Sequence, residues 1–278
     1  MGAVAPGAPR LAARTWLGLA RGVGLATALV AGAAEACRQA PEAAAVPGSL
    51  IQAPGDDPAA IHSAWYEGLS DVYAHGVLGD ALEPTRLHAL SAESSAACGM
   101  AVEAGAGFVF EDIAPRLADV DGDGRPEVIA VRSRFDAGAQ LIVYAARDGA
   151  LIPLATTPHI GQRNRWLAPA AAADLDGDGA VEIAYVDRPH LARTLRVWRY
   201  GAGALREVGS LPGVTNHRIG EPVISGGLRV CGAGPEIVLA SADWSRLLAV
   251  RFDGNRFATA DLGPWSAAAA REALSCAR

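Results

Sequence analysis

The sequence predicts an all-β fold, a β-propeller of about four to five four-stranded blades, with an open stack of blades or a β-sandwich as alternatives. Two observations predict it. The apolar segments from residue 61 onward are four to six residues long and rich in β-branched and aromatic residues, as strands are. The chain also repeats with a period of about 55 residues, and a blade is a unit of similar length that buries both sheet faces only by stacking on its neighbours.

The first 36 residues are predicted to form a secretory signal peptide. Arg10, Arg14 and Arg21 precede the uncharged segment 22–34, and residues 34–36 have the small-x-small pattern Ala-Glu-Ala. The uncharged segment is shorter than the about 20 residues that a membrane span needs. The sequence therefore predicts export to the periplasm or the extracellular space, with no membrane span in the mature chain.

Residues 37–60 are rich in alanine, proline and glycine, so they are predicted to be a linker to a single domain over residues 61–278. Four cysteines would remain after cleavage, and an oxidising compartment allows two disulfides in any of three pairings. The net charge of -6 argues against a nucleic-acid partner. The four cysteines are Cys37, Cys98, Cys231 and Cys276.

Three repeat units are clear, each with a glutamate, a first apolar segment, a loop and a second apolar segment. The three glutamates are Glu127, Glu182 and Glu236. A fourth, weaker copy is predicted at residues 73–80, and a helix only at residues 266–274. The predicted strands cover residues 128–131, 141–144, 183–186, 195–200, 237–240 and 247–252.

Two of these units follow a loop in which four carboxylates occupy alternate positions. A hard cation such as calcium takes six to eight oxygen ligands, so carboxylates and a loop carbonyl at this spacing predict two calcium sites. Gly124 and Gly179 stand at position 6, where a sharp turn needs positive φ. The predicted ligands are Asp119, Asp121, Asp123, the Arg125 carbonyl and Glu127 in the first loop, and Asp174, Asp176, Asp178, the Ala180 carbonyl and Glu182 in the second.

Two further observations concern the type of loop and the number of sites. An EF-hand is excluded, because position 12 is Ala130 or Tyr185 where a bidentate glutamate is required, and a strand follows instead of a helix. The unit at Glu236 has no aspartate at the equivalent positions, which by counting back from the glutamate are Leu228, Val230 and Gly232. Calcium is therefore expected at two sites.

The segment 117–131, with its second copy at 173–186, resembles the FG-GAP repeat, also called the VCBS repeat, of integrin α-subunit-like β-propellers. The Phe-Gly and Gly-Ala-Pro signatures of that family are only echoed, in Ala114-Pro115 and Ala168-Pro169. The resemblance implies a blade architecture, calcium in an inter-strand loop of each intact blade, and placement outside the cytoplasm.

No nucleophile elbow, phosphate loop or dinucleotide fingerprint is present in the sequence, so no catalytic residue is predicted. Polar loops follow the first strand of each unit, and equivalent loops of successive blades would share one face. These loops are either solvated turns between hairpin strands or a predicted ligand face that consists of Arg134, Asp136, Asp187, His190, Asp243 and Arg246.

These observations predict an exported, calcium-binding β-propeller that serves as a binding or scaffold module for a protein or glycan ligand. Two alternatives stay open. One is a secreted hydrolase or lyase that acts on a polysaccharide or phosphoester in a pocket on one propeller face. The other is an adhesion protein.

Overall fold

A computed structural model describes residues 44–53, 57–91, 99–232 and 234–277. These residues form four antiparallel sheets and one short helix. The predicted signal peptide, together with Cys37 and Cys98, lies outside the described residues. No helix in the described part of the chain is long and apolar enough to cross a membrane.

The four sheets follow one another along the chain, and each is an up-and-down antiparallel arrangement. The first sheet contains β1 (Ile51–Gln52), β2 (Ile61–Ser70), β3 (Glu83–Ser91) and β4 (Met100–Glu103). The second contains β5 (Phe108–Phe110), β6 (Arg116–Ala118), β7 (Glu127–Arg134), β8 (Gly138–Arg147) and β9 (Ala150–Thr156).

The third sheet contains β10 (Leu167–Ala173), β11 (Glu182–Asp187), β12 (Thr194–Gly201) and β13 (Ala204–Pro212). The fourth contains β14 (Val214–Thr215), β15 (Gly227–Val230), β16 (Pro235–Ser241), β17 (Arg246–Phe252) and β18 (Phe257–Pro264). In the second and fourth sheets two short strands pair with the same neighbour, β5 and β6 with β7, and β14 and β15 with β16.

All six predicted strand segments lie within strands of the structure, namely β7, β8, β11, β12, β16 and β17. The helix is also confirmed as α1 (Ala267–Leu274), whose first turn is capped by Ser266. Residues 73–80 join β2 to β3, the second and third strands of the first sheet, whereas the first carboxylate loop leads into β7, the second strand of its sheet. The predicted fourth copy at residues 73–80 is therefore wrong. The predicted linker contributes β1, which pairs with β2.

Apolar cores lie between successive sheets because neighbouring residues of one strand point to opposite faces. In β7, Val128 and Ala130 belong to the core shared with the first sheet, whereas Ile129 and Val131 belong to the core shared with the third. The same alternation in β11 separates Ile183 from the residues that pack against the fourth sheet. The described sheets therefore pack as a stack in chain order.

Helix α1 covers the fourth sheet on the side away from the third. Its residues Ala269, Ala270 and Ala273 pack against Val238 and Leu247 of that sheet. A disulfide joins Cys231 to Cys276, across 45 residues, and holds the segment after the helix against the turn that follows β15. One of the pairings that the sequence left open is thereby assigned.

Candidate metal centres

The first carboxylate loop joins β6 to β7 and folds around the side chain of Asp119. The two carboxylate oxygens of Asp119 accept hydrogen bonds from the backbone N–H groups of Gly122 and Gly124, each at 2.9 Å. Both glycines have positive φ, 78° and 87°, as predicted for the position-6 residue Gly124. The loop is thus wound so that its aspartates face one point.

Glu127, the first residue of β7, ends this loop. It is 1% exposed, and its Oε2 accepts a hydrogen bond from the N–H of Val120 at 2.8 Å. Oxygens of Asp119, Asp121 and Glu127 lie within 4.8 Å of one another. Burial, with the Asp121 and Asp123 carboxylates nearby, raises the pKa of Glu127 to about 7 in spite of backbone hydrogen bonds. A cation at this point would relieve that cost.

The second loop, between β10 and β11, has the same backbone arrangement. Asp174 accepts hydrogen bonds from Gly177 at 2.7 Å and Gly179 at 3.0 Å, and both glycines again have positive φ. Oxygens of Asp174, Asp176 and Glu182 lie within 4.8 Å of one another. The two loops therefore present the same three-carboxylate group, each with its glutamate fully buried at the start of a strand.

Arg199 distinguishes the second loop from the first. It lies directly opposite Glu182 in the register of β11 and β12, and its guanidinium contacts Glu182. The same guanidinium donates to Asp176 at 2.6 Å and to Asp178 at 2.8 Å. Burial still raises the pKa of Glu182, while the hydrogen bond from Arg199 opposes that rise.

In the first loop the pairing of β7 with β8 begins at Val128 and Tyr144, and the residue that follows Tyr144 is Ala145, not an arginine. Arg147 instead donates to Asp121 at 3.0 Å and lies 3.5 Å from Asp123, on the outer side of the loop. Glu127, the buried carboxylate of this loop, has no arginine partner among the described residues.

The remaining predicted ligands lie on the outside of the loops. Asp123 and Asp178 belong to neither three-carboxylate group. Each accepts a hydrogen bond at 2.9 Å from a backbone N–H two residues later, from Arg125 and Ala180 respectively. Arg125 directs its side chain to Asp57, at 2.9 Å, in the turn between β1 and β2.

The third repeat unit replaces the carboxylate group with arginines. Arg229 lies opposite Glu236 in the register of β15 and β16 and contacts its Oε2 at 2.7 Å. Arg251 contacts the other oxygen at 2.7 Å. Burial alone would raise the pKa of Glu236, but the hydrogen bonds from Arg251 and Arg229 hold it below its usual value. Two guanidinium groups therefore neutralise Glu236, the residue equivalent to Glu127 and Glu182.

The turn before β16 is also shorter than in the other units. Arg229 and Glu236 are paired seven residues apart, whereas the corresponding pair Ala173 and Glu182 is nine residues apart. Val230 therefore takes the place of Asp174, a shift of two positions from the equivalence obtained by counting back along the sequence. This unit has neither the aspartates nor the loop length of the other two.

Comparison with known proteins agrees with this geometry. Residues 119–185, which run from the first aspartate of one loop through the second loop, match the model of the FG-GAP-like repeat. The FG-GAP resemblance predicted from residues 117–131 and 173–186 is thereby confirmed for both carboxylate loops. No curated protein sequence matches the chain.

Among solved structures, the chain is similar to Sqt1 from Saccharomyces cerevisiae, with a TM-score of 0.32 and 12% identity over 63% of this chain and 43% of that one. It is also similar to a protein from Lactobacillus plantarum, with a TM-score of 0.33 and 14% identity over 76% of this chain and 57% of that one. The chain thus spans about half the length of these two structures.

The residues of the predicted ligand face are mostly engaged within their own hairpins. Arg134 pairs with Asp136 at 2.6 Å, and Arg246 pairs with Asp261. Asp243 accepts hydrogen bonds from Ser241 and Ser245. Buried Asp187 holds Arg188 and Arg196 at 2.8 and 3.0 Å. His190 differs, since its ring bonds to His217 from the fourth sheet and therefore crosses between units.

The sequence reasoning missed the arginines that surround the carboxylates. Arg199 stands directly opposite Glu182, 17 residues further along the chain, and Arg251, next to the paired Val250, contacts Glu236 from 15 residues further along. A cross-strand pairing of the two apolar segments in each unit would have placed both arginines beside the glutamates. That hairpin register is the signal that could have found them.

Proposed function

We propose that this chain is an exported, calcium-binding repeat protein of the FG-GAP type, whose four sheets act as propeller-like blades and serve as a binding or scaffold module. The observation that carries the proposal is the pair of equivalent three-carboxylate groups, at Asp119, Asp121 and Glu127 and at Asp174, Asp176 and Glu182. Each lies in the turn that leads into a repeat strand.

The chemistry of the donors supports calcium. Each group offers only carboxylate oxygens, and these are the ligands of hard cations and not of zinc or copper, which favour imidazole and thiolate. The aspartates of each loop are wound around one point by hydrogen bonds to positive-φ glycines. Backbone carbonyls at Arg125 and Ala180 are the further oxygens proposed to complete the shell.

Two features support export. Residues 1–36 have the layout of a signal peptide, and Cys231 is joined to Cys276 by a disulfide. Disulfides persist in oxidising compartments such as the periplasm and the extracellular space. Those compartments also hold free calcium at concentrations that weak sites can use.

The architecture supports the proposed role as a binding or scaffold module. Repeat sheets that stack on their neighbours create long surfaces formed by loops from several units. The polar loop after β11, which contains His190, is proposed to be part of such a surface, and a protein or glycan is the kind of ligand that we propose for it.

Calorimetric titration of the purified mature chain with calcium tests the metal sites. We expect a stoichiometry of about two per chain in the wild type, and of one in either Asp119→Asn or Asp174→Asn. The control is Asp136→Asn, which alters an exposed aspartate outside both groups and should leave the stoichiometry at two. An absence of calcium heat in the wild type, or two sites remaining in both loop variants, would contradict the proposal.

A further inference from the structure

A pocket of about 230 Å³ opens where loops connected to all four sheets meet. His75 enters it from the loop between β2 and β3, residues 164–166 from the loop between β9 and β10, and residues 188–191 from the loop between β11 and β12. Ile219 comes from the loop between β14 and β15. The pocket therefore exists only when the units are stacked, and it lies apart from the carboxylate loops.

His75 is held in one orientation by a buried carboxylate. Its Nδ1 bonds to Glu111, which is 0% exposed, and the other oxygen of Glu111 accepts the hydroxyl of Ser133. The backbone oxygen of Glu111 also accepts the indole N–H of Trp166 at 2.7 Å. Because a carboxylate accepts, Nδ1 of His75 carries the proton and Nε2 is the nitrogen left for a ligand.

His190 is held by a second chain of hydrogen bonds. Nε2 of His217 donates to the backbone oxygen of Glu221 at 2.8 Å, so Nδ1 of His217 accepts from Nε2 of His190 at 2.9 Å. Nδ1 of His190 is then a hydrogen-bond acceptor. Burial, assisted by the neighbouring His217, lowers the pKa of His190 to about 4, so this imidazole is neutral at pH 7.

The charge of the pocket comes from one arginine. Arg188 is neutralised by two hydrogen bonds to Asp187, at 2.8 and 3.0 Å. Arg165 donates to the backbone oxygen of Asn164 at 3.3 Å, and no carboxylate of the described residues lies within ion-pair distance of it. The pocket wall thus has one uncompensated guanidinium beside the imidazoles of His75 and His190.

Asn164 lies at the pocket wall and has a left-handed backbone conformation. Its buried Oδ1 has no hydrogen-bond partner among the described residues. Asn164 and Arg188 both have positive φ, 55° and 42°, a conformation that costs free energy and is often retained at functional sites. At the pocket wall, Leu191 and Ile219 are 62% and 71% exposed and supply apolar surface.

We propose that this pocket binds a hydroxylated organic monocarboxylate, the chemistry of a sugar acid, with its carboxylate on Arg165 and a hydroxyl group donating to His190 Nδ1. The single uncompensated guanidinium matches one negative charge, whereas a phosphate dianion would meet the acceptor of His190 and too few cations. A neutral sugar would leave Arg165 without a counter-charge. Leu191 and Ile219 would cover the carbon skeleton.

This inference rests on the proposed role as a binding module, but not on calcium in the loops. The shared chemistry could come from a free sugar acid or from the uronate units of an acidic polysaccharide. Galacturonate and its tetramer distinguish these sources, because tighter binding of the tetramer indicates the polysaccharide. Galactose and galactose 6-phosphate are the neutral and dianionic comparisons.

The test is calorimetric titration of the mature chain with these four compounds. We expect saturable binding of galacturonate, weakened about tenfold or more in Arg165→Gln and in His190→Phe, because a charge-assisted hydrogen bond or a buried acceptor is lost. Arg206→Gln is the matched control, an exposed arginine on β13 away from the pocket, and should bind as the wild type does.

Three results would overturn the assignment: no galacturonate binding in the wild type, equal binding in Arg165→Gln and Arg206→Gln, or galactose or its 6-phosphate binding at least as tightly as galacturonate. Circular dichroism of each variant shows whether a loss reflects unfolding, and retained binding of calcium provides a second check. Calcium binding without galacturonate binding would reject the pocket alone. Galacturonate binding without calcium would reject the metal sites alone.

Discussion

The two carboxylate loops are alike in backbone and in ligands, but they differ in how much of their charge the protein already neutralises. In the second loop Arg199 contacts Asp176, Asp178 and the buried Glu182. In the first loop Arg147 contacts Asp121 and Asp123 but not Glu127, which keeps a raised pKa. The third unit completes the series, since two arginines neutralise Glu236. The negative charge of the buried repeat glutamate can be neutralised either by guanidinium groups or by a bound cation.

The largest expected effect concerns the unit in which arginines replace the cation. Glu236→Gln removes the carboxylate that contacts the guanidinium of Arg229, whose side chain is 6% exposed. Removing one partner of a buried pair costs about 3–5 kcal/mol, so urea unfolding should show a loss of that size, equal in calcium and in chelator. Glu207→Gln, in a half-exposed pair with Arg196, should cost less than about 1 kcal/mol. A calcium-dependent loss for Glu236→Gln would contradict the series.

The contribution of Glu236 to the free energy of unfolding should depend on pH. The pKa of Glu236 in the folded chain lies below its ordinary value of 4.5. Its ionised form is therefore stabilised by folding, and the contribution is complete above pH 4.5 and is lost as pH falls through the lower, folded-state pKa. The difference in unfolding free energy between wild type and Glu236→Gln should shrink as acid is added. A difference that stays constant down to about pH 2 would contradict this assignment.

Removing the arginine from the second loop should make it more dependent on calcium. Arg199→Gln eliminates a competing cation, so we expect calcium to bind that loop about tenfold more tightly while the calcium-free protein becomes less stable. Arg147→Gln should have a smaller effect at the first loop, because Arg147 does not contact Glu127. Arg251→Gln is the control and should leave calcium affinity unchanged. Weaker calcium binding in Arg199→Gln would show that the arginine orders the loop instead.

The smallest expected effect concerns a glycine that lies beside the second loop only. Gly254, in the turn between β17 and β18, has a φ of 86°, and a methyl group there would lie 2.7 Å from Asp176 Oδ2. Gly254→Ala should weaken calcium binding at the second loop a few-fold and leave the first loop unchanged. Gly149→Ala has similar backbone strain but open space around it, so it should affect stability without affecting calcium. Equal effects on both loops would contradict the role of this contact.

Much of the fold could be predicted from the sequence, because the repeat units carry local patterns. Short β-branched segments such as residues 128–131 predict strands, and the spacing of Asp119, Asp121 and Glu127 predicts a wound loop. The helix at 267–274 likewise begins at a serine cap. Each of these features is encoded within about ten consecutive residues, so a single sequence is sufficient to find it.

The pocket could not be predicted, because its residues are distant in the chain. His75, Glu111 and Ser133 form one hydrogen-bonded group across three segments, and His190 meets His217 from the next sheet. No local pattern links these positions. The predicted ligand face assumed that equivalent loops converge, yet His190 alone among its six residues lines this pocket. How the sheets stack decides which loops meet, and stacking depends on long-range packing.

Thermal unfolding of the mature chain, measured by scanning calorimetry in calcium and in chelator, tests the central claim most directly. A ligand that binds only the native state at a hundredfold excess over its dissociation constant stabilises it by about 2.7 kcal/mol per site. We therefore expect a melting temperature several degrees higher in calcium, with the gain roughly halved in Asp119→Asn or Asp174→Asn and abolished in the double variant. Wild-type curves that coincide in calcium and in chelator would contradict the account.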